Sequence, residues 1–190
     1  MIPDTLELVT QKLLDQAKLM GADEADVIAT KGQSINVDVR HGALENADRA
    51  EGVEVGLRVL VSQRQAIVSS SDISDATLKL MVERAIAMAK DAPQDKHAGL
   101  ASVNQLAKQR DLSELEICDP ATEPSPTKLK EQAEIAESSA LEVGGVSQVS
   151  GASASYGKYS VFMAASNGFT ANYDRSSNSV SCVAIAREGL

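Results

Sequence analysis

The feature that most constrains the fold is a change in the spacing of apolar residues, from a helical period to a period of two. In the N-terminal segment, apolar residues from Leu6 to Met20 recur every three or four positions, which is typical of a helix with one buried face. Over residues 35–39 and 53–61, apolar and polar side chains alternate instead, as in half-buried strands. Because a parallel crossover needs about a dozen residues or more, the short links between these runs favour an antiparallel meander.

Two further helices have clear start signals. Ser74 precedes an apolar face that begins at Leu78 and must end before Pro93, and Ser125 precedes Pro126, a residue favoured at the first helical position. The sequence therefore predicts helices at 4–20, 75–91 and 126–143. Residues 91–126 form an acidic, proline-punctuated connector with one short helix near 102–109. We expect an α+β fold, with an antiparallel or mixed β-sheet and about three helices packed mainly on one face.

The C-terminal region, residues 146–190, is rich in serine and almost uncharged. Strand-like runs cover residues 146–156, 159–166 and 180–186, and the run 181–186 has the composition of a central strand. Asn167-Gly168 is the strongest hairpin signal in the chain, because both central positions of a type I′ turn require positive φ. We expect a type I′ turn at these two residues.

Charge and composition exclude several classes of partner. Lys and Arg number 18 against 27 Asp and Glu, so the formal net charge is −9. Nucleic-acid binding normally requires a basic patch, and attraction to anionic lipid requires basic segments, so neither a nucleic acid nor a membrane is an expected partner. The N-terminus lacks the basic start and apolar run of a signal peptide, and the two cysteines have no paired spacing. We expect a cytoplasmic protein with free thiols.

The residues form no recognisable catalytic or metal-binding motif. His41 and His97 are the only histidines, and neither is followed by the glutamate of an HExxH zinc motif. No GxSxG nucleophile motif and no glycine-rich phosphate loop occurs. Cys118 lies in an acidic stretch that disfavours the thiolate, whereas Cys182 lies in an apolar strand and is expected in the core. We therefore expect no catalytic residue, metal ligand or cofactor in this chain.

An ordered series of stretches resembles the TldD/TldE metallopeptidase family, and in particular the N-terminal region of its TldE-type (PmbA-type) subunits. The resemblance covers nearly the whole chain, and its strength lies in the order of the stretches. They are residues 21–27, 37–45, 56–59, 64–66, 71–74, 85–89, 119–120, 150–155 and 166–169. It implies that the 190 residues are the N-terminal part of a longer protein whose C-terminal domain is not included, although a natural end at Leu190 remains open.

The resemblance also implies a function. In this family two related subunits form a heterodimer that cleaves unfolded or leader peptides, with zinc held by a HExxxH-type motif of the TldD-type subunit. A TldE-type chain is then a non-catalytic subunit with a TldD-like partner, and the family label "modulator of DNA gyrase" does not imply DNA binding. The alternative is a stand-alone protein-binding or adaptor domain without a peptidase role.

Two regions are candidates for contact with a substrate or partner. Strand edges in residues 34–71 and 146–186 are suited to capture extended peptides through main-chain hydrogen bonds, and ordinary sheet packing is the alternative for both regions. The residues predicted to have more than a packing role lie around two turns, one predicted at His41-Gly42 and the other at Asn167-Gly168, although turn geometry explains the glycines equally well. They are Arg40, Gly42, Glu45, Asn167, Gly168 and Phe169.

Overall fold

The structure, a computed structural model, describes residues 3–187 and the side chains of residues 5–187, and it has the predicted α+β fold. Two short 3₁₀ turns, Val103–Gln105 and Ser113–Leu115, lie in the connector. In chain order the elements are helix α1 (Pro3–Leu19), strands β1 (Glu24–Arg40), β2 (Ala43–Val61) and β3 (Arg64–Ser70), helices α2 (Asp75–Asp91) and α3 (Pro126–Leu141), and strands β4 (Val146–Ala165) and β5 (Thr170–Ala186).

The five strands form one antiparallel sheet in the order β3-β2-β1-β4-β5. Strand β3 pairs with only part of β2, from Val55 opposite Ser70 to Val61 opposite Arg64. Strand β4 returns beside β1, and β3 and β5 are the two outer strands. The predicted meander is therefore confirmed and extended by a C-terminal hairpin.

Helix starts follow the predicted signals. The Ser74 hydroxyl accepts a hydrogen bond from the Thr77 N–H at 3.4 Å, and the Ser125 hydroxyl accepts one from the Lys128 N–H at 3.2 Å. Each serine thereby satisfies a backbone donor that a helix N-terminus leaves free. The short helix predicted near 102–109 is wrong, since only one 3₁₀ turn forms there. Val103 is 72% exposed, and so short a helix without a buried face is not stable in water.

The chain divides into two compact units, and the first has the larger core. It comprises residues 3–31, 52–115 and 160–174. The apolar faces of α1 and α2 bury alternate side chains of β1 and β2 and two residues of β4. The largest fully buried side chains of this unit include Leu13, Leu57 and Leu78.

The second unit comprises residues 32–51, 116–159 and 175–187, and it has a smaller core with one helix. Ile35, Val37 and Val39 of β1 contact Leu129 and Ala133 of α3, and Ala152, Ala154 and Tyr156 of β4 complete the cluster. Cys182, which was predicted to lie in the core, is half-buried at its margin because β5 is an outer strand.

The two hairpin turns differ in geometry, and the type I′ turn lies at His41-Gly42. His41 and Gly42 have φ angles of 54° and 69°, so the β1–β2 hairpin has the two-residue type I′ turn. At the β4–β5 hairpin, the Gly168 N–H donates to Ala165 O at 3.0 Å, and the Ala165 N–H donates to Phe169 O at 2.9 Å. The loop thus has three residues, of which only Gly168 has positive φ, so the predicted type I′ turn at Asn167-Gly168 is wrong. A type I turn followed by a left-handed glycine is the usual three-residue solution.

Strand β4 runs without the break that was predicted between residues 156 and 159. The Tyr159 ring lies over Gly32 of the neighbouring strand, where a Cβ would come within 2.2 Å of Tyr159 Cδ1. The ring also borders Gly157, so an aromatic side chain fills the space that the glycines leave and the strand continues.

Candidate functional site

The predicted contact residues Asn167 and Gly168 line a groove in the first unit. The groove has a volume of about 610 Å³ and lies between α1, the start of β1 and the β4–β5 loop. Its acidic side chains are engaged in local hydrogen bonds. Asp23 accepts from the Ser62 N–H at 2.6 Å, and Glu24 accepts from the Leu100 N–H at 3.0 Å. These carboxylates therefore stabilise backbone turns around the groove.

The β4–β5 loop is held by contacts with the connector. The Asn167 side-chain amide donates to Ala101 O at 2.9 Å, and its Oδ1 accepts from the Phe169 N–H at 3.1 Å. The Phe169 ring lies 5.1 Å from the Arg110 guanidinium, which donates to Thr170 O at 2.8 Å. Asn167 and Phe169 are half-buried in these contacts, and Gly168 is exposed. Of the three, Gly168 is the most accessible to a ligand.

The other predicted residues, Arg40, Gly42 and Glu45, lie at the β1–β2 hairpin of the second unit. Arg40 and Glu45 form an exposed ion pair at 3.6 Å, an arrangement that contributes little to stability. The Gly42 N–H donates to Glu137 Oε2 of α3 at 2.7 Å. The six predicted residues therefore divide between the two units, three in each.

Glu137 holds this hairpin in place, and the sequence prediction missed it. Its side chain is 3% exposed, and its second oxygen accepts from the His41 N–H at 2.7 Å. One carboxylate thus binds both central amides of the type I′ turn. Such a buried carboxylate is stabilised by charge-assisted hydrogen bonds and is costly to remove. The sequence did contain a signal for it, because Glu137 follows Leu129 and Ala133 at intervals of four residues and so lies on the apolar face of α3.

Strand β2 has a free edge over residues 43–51 of the second unit, because β3 pairs only with residues 55–61. Every residue of this segment is exposed, and it includes Glu45, Asp48, Arg49 and Glu51. The Arg49 guanidinium donates to Glu123, to Glu51 at 2.8 Å and to Gln33 at 3.0 Å. The hydrogen bonds to Glu123 and then to Glu51 raise the pKa of Arg49. We call residues 43–51 the charged edge.

Strand β5 has the other free edge in the second unit. Ser176 donates its N–H to Ile117 O at 3.0 Å, so the connector covers this edge up to Ser176. Residues 177–186, which contain no charged residue, continue as an outer strand of the described sheet, and we call them the uncharged edge. Within the described residues β5 is an outer strand and Val183 is 60% exposed, so the central position predicted for residues 181–186 stays a prediction. An alternating pattern alone does not distinguish an outer strand from a central one.

No zinc site is formed by the part of the chain that the structure describes. Among residues 3–187, no three side chains of His, Cys, Asp and Glu come together as a metal-binding group. His41 and His97 are both exposed, the first in the β1–β2 turn and the second in the connector. Within the same residues, no helix combines the length and apolar character needed to cross a membrane.

Comparison with known protein families decides the assignment. Residues 25–89 match the PmbA/TldA metallopeptidase domain 1, and residues 119–190 match the central domain of the same family. Together the two matches cover more than two thirds of the chain and follow one another in family order. The chain belongs to the PmbA/TldD metallopeptidase family. The family resemblance identified from the sequence is confirmed.

Two curated relatives support the PmbA/TldE-like assignment. The metalloprotease PmbA of Escherichia coli O157:H7 is 32% identical over 121 residues, which are 64% of this chain and 26% of that protein. The metalloprotease PmbA homolog of Haemophilus influenzae is 32% identical over 118 residues, which are 62% of this chain and 26% of that protein. These matches thus span about a quarter of each relative, in the region that corresponds to the N-terminal part of a PmbA/TldE-like protein.

Solved structures show the same fold. A proposed modulator of DNA gyrase from Bacteroides thetaiotaomicron superposes with a TM-score of 0.87 at 21% identity, over 98% of this chain and 42% of its own. TldE from Thermococcus kodakarensis superposes with a TM-score of 0.74 at 18% identity, over 95% of this chain and 40% of its own. The family fold is therefore present over nearly the whole chain.

Proposed function

We propose that this chain is the N-terminal part of a non-catalytic subunit in a two-subunit, zinc-dependent peptidase of the cytoplasm. Its partner is a TldD-like subunit that holds the zinc, and the substrates are unfolded or leader peptides. The observation that carries the proposal is the pair of consecutive matches to domain 1 and the central domain of the family. The choice of a TldE-type over a TldD-type subunit is supported by the curated PmbA relatives and by the superposition on TldE.

The sheet suggests how such a subunit contributes without catalytic residues. A peptidase with loose sequence preference must hold extended chains mainly through their backbone, which is what a free strand edge does. Both free edges of the second unit offer unpaired backbone groups to an added strand. The net charge of −9 argues against nucleic acid or anionic membrane as a partner, in spite of the gyrase label borne by a relative.

Co-purification and proteolysis test this proposal. The full-length natural protein would be co-expressed with the TldD-like subunit of the same organism, and the complex would be assayed for zinc and for cleavage of an unstructured peptide. We expect a stable complex whose proteolysis is lost on chelation and restored by zinc. A TldD-like subunit that cleaves the peptide at the same rate alone, or that never binds the full-length protein, would contradict the proposal.

A second candidate function is a stand-alone adaptor domain that binds a protein partner. The observation that favours it is the uncharged edge of β5, since isolated outer strands normally carry protective charges. The same co-purification separates the two functions. A stable partner that contains no zinc, together with an absence of metal-dependent proteolysis, would support the adaptor.

A further inference from the structure

The β4–β5 loop contains the one Asn-Gly pair of the sequence, Asn167-Gly168. The loop geometry requires the glycine, which has a φ of 89°, but a three-residue loop accepts most residues at position 167. An asparagine side chain can react with the backbone nitrogen of the next residue, and a glycine there leaves that nitrogen unshielded because it has no Cβ. The pair therefore has a chemical property that the turn does not need.

The reaction is deamidation, which makes asparagine one of the thermolabile residues and needs only water. The Gly168 nitrogen forms a bond to Asn167 Cγ and loses its proton, and the bond between Cγ and Nδ2 breaks as ammonia leaves with that proton. Water then opens the cyclic imide at one of its two carbonyl carbons. The products are an aspartyl residue at position 167 or an isoaspartyl residue, whose backbone is one carbon longer.

In the folded protein, the groups that take part in this reaction are held by hydrogen bonds. The Gly168 N–H donates to Ala165 O at 3.0 Å. The Asn167 amide donates to Ala101 O of the connector at 2.9 Å, and its Oδ1 accepts from the Phe169 N–H at 3.1 Å. Ring closure therefore requires that the loop first open and the contact with the connector break, and a rare local opening slows any reaction that depends on it.

The acidic product does not fit the contact with the connector. An aspartate keeps the oxygen that accepts from Phe169, but it has no amide hydrogen to donate, so a carboxylate oxygen faces Ala101 O with no proton between them. The new negative charge also joins a groove already lined by three carboxylate side chains and one lysine. The reaction thus removes the hydrogen bond that restrained it.

We propose that Asn167-Gly168 is a modification site, at which deamidation converts Asn167 to an acid and detaches the connector from the β4–β5 loop, and that the bound connector restrains this reaction. The new bond forms between neighbouring residues, so no partner and no further segment of chain is needed. The inference is independent of the peptidase proposal, since it rests on the contacts of one loop within the first unit.

Mass spectrometry of the full-length natural protein, kept in mildly alkaline buffer, tests the reaction. Trypsin releases residues 159–175 as one peptide, which also contains Asn172 as an internal control, since tyrosine follows it. We expect deamidation at Asn167 alone, at a rate about tenfold below that of the same synthetic peptide free in solution, because the loop must open first. A folded protein that gives no product by the time the free peptide has reacted, or that reacts as fast as the free peptide, would overturn the proposal.

Arg110→Ala tests the restraint by the connector. It removes the guanidinium that lies over Phe169 and donates to Thr170 O, and so weakens the hold of the connector on the loop without changing the reacting pair. We expect deamidation about threefold faster than in the wild type. The matched control is Lys108→Ala, an exposed cation of the same connector, which should leave the rate unchanged. Equal rates in the two variants would contradict the restraint.

Asn167→Asp tests the consequence of the reaction. Hydrogen exchange in residues 98–106 of the connector should be about fivefold faster in this variant than in the wild type, because the contact at Ala101 is lost. Asn172→Asp adds the same charge at an exposed position of β5 and should leave the exchange unchanged. Circular dichroism checks that both variants are folded. Exchange that is no faster in Asn167→Asp than in Asn172→Asp would show that the acid does not detach the connector.

Discussion

The two free edges of the second unit belong to one sheet of the described residues and differ mainly in charge. The charged edge has Glu45, Asp48, Arg49 and Glu51 within nine exposed residues, and Arg49 is bound by hydrogen bonds to its neighbours. The uncharged edge has no charged residue among its ten residues, and two of its valines, Val180 and Val183, are exposed. One edge carries the charges that usually protect an outer strand against association, and the other carries none.

This difference teaches that the exposure of a strand and its readiness to bind are separate properties. The charged edge is anchored through the β1–β2 turn to Glu137, so its position is fixed while its charges discourage pairing with another copy. The uncharged edge has no charges that would oppose pairing with an added strand. Removing charge from the charged edge should therefore increase its tendency to pair with another strand, and adding charge to the uncharged edge should reduce it.

The largest effect is expected from loosening the anchor of the charged edge. Glu137→Ala removes a buried carboxylate and leaves the His41 and Gly42 amides without their acceptor, so the free energy of unfolding should fall by about 3 kcal/mol. Glu137→Gln keeps one acceptor oxygen and should lose about half as much. Urea unfolding measures both variants.

The matched control for the anchor is Glu134→Ala on the same helix. Glu134 pairs with Lys130 at a partly exposed site, and such pairs contribute about 0.5 kcal/mol. Equal losses for Glu134→Ala and Glu137→Ala would show that the buried carboxylate has no special role in holding the hairpin.

An intermediate effect is expected from neutralising the charged edge. Glu45→Gln, Asp48→Asn, Arg49→Gln and Glu51→Gln, combined, give β2 an edge as neutral as residues 177–186 of β5. We expect self-association of this variant to rise, with an apparent affinity about tenfold above that of the wild type. Sedimentation velocity or light scattering at matched concentrations measures it.

The control for neutralisation removes the same three negative charges and one positive charge from exposed helical positions, at Asp75, Lys79, Glu83 and Glu131. Association that rises equally in this control would point to a general loss of repulsion between molecules. The comparison of the two edges would then have to rest on a property other than charge.

The smallest effect concerns the cover over the beginning of β5, where Arg110 contacts Thr170. The carboxylate of the adjacent Asp111 accepts a hydrogen bond from the Ser113 N–H, which lowers the pKa of Asp111. Because its pKa is lower in the folded than in the unfolded protein, the ionised Asp111 stabilises the folded state fully at pH values above the ordinary pKa of 3.8. This stabilisation is lost as the pH falls through the lowered pKa of the folded protein. The turn should therefore loosen only in acid.

Asp111→Asn removes that charge at all pH values. At pH 7 the variant should be cleaved modestly faster than the wild type in residues 106–116 by limited proteolysis. The two proteins should become alike only as the pH falls below the ordinary value of 3.8 and through the lowered pKa of the folded protein, where the wild-type carboxyl is protonated. Asp91→Asn at the end of α2 serves as the control, and a pH-independent difference between Asp111→Asn and the wild type would refute the assignment.

The helices and turns that have local chemical signals were predictable from the sequence. The bounds of α2 match the prediction because Ser74 caps its start and Pro93 limits its end. The β1–β2 turn was found from His41-Gly42, whereas the geometry of the β4–β5 loop was not, because it depends on which residues pair across the hairpin.

Features that depend on distant neighbours were not predictable from local patterns. The outer position of β5 follows from the order of the sheet, and an alternating run carries no information on that order. Glu137 was missed because its partners are backbone amides 95 and 96 positions away in the chain. Of the predicted contact residues, Gly168 and the Arg40–Glu45 pair are exposed, and their role in binding stays a prediction.

The interleaving of the chain segments in the two units has a consequence for folding during synthesis. The first unit draws on residues 3–31 and 160–174, and the second on residues 32–51 and 175–187, so neither core is complete before the C-terminal hairpin has left the ribosome. Because distant segments must meet, such a topology folds slowly. Both cores therefore lack the side chains that β4 contributes until about residue 165 has been synthesised, and the nascent chain is a natural client for chaperones that bind exposed apolar segments.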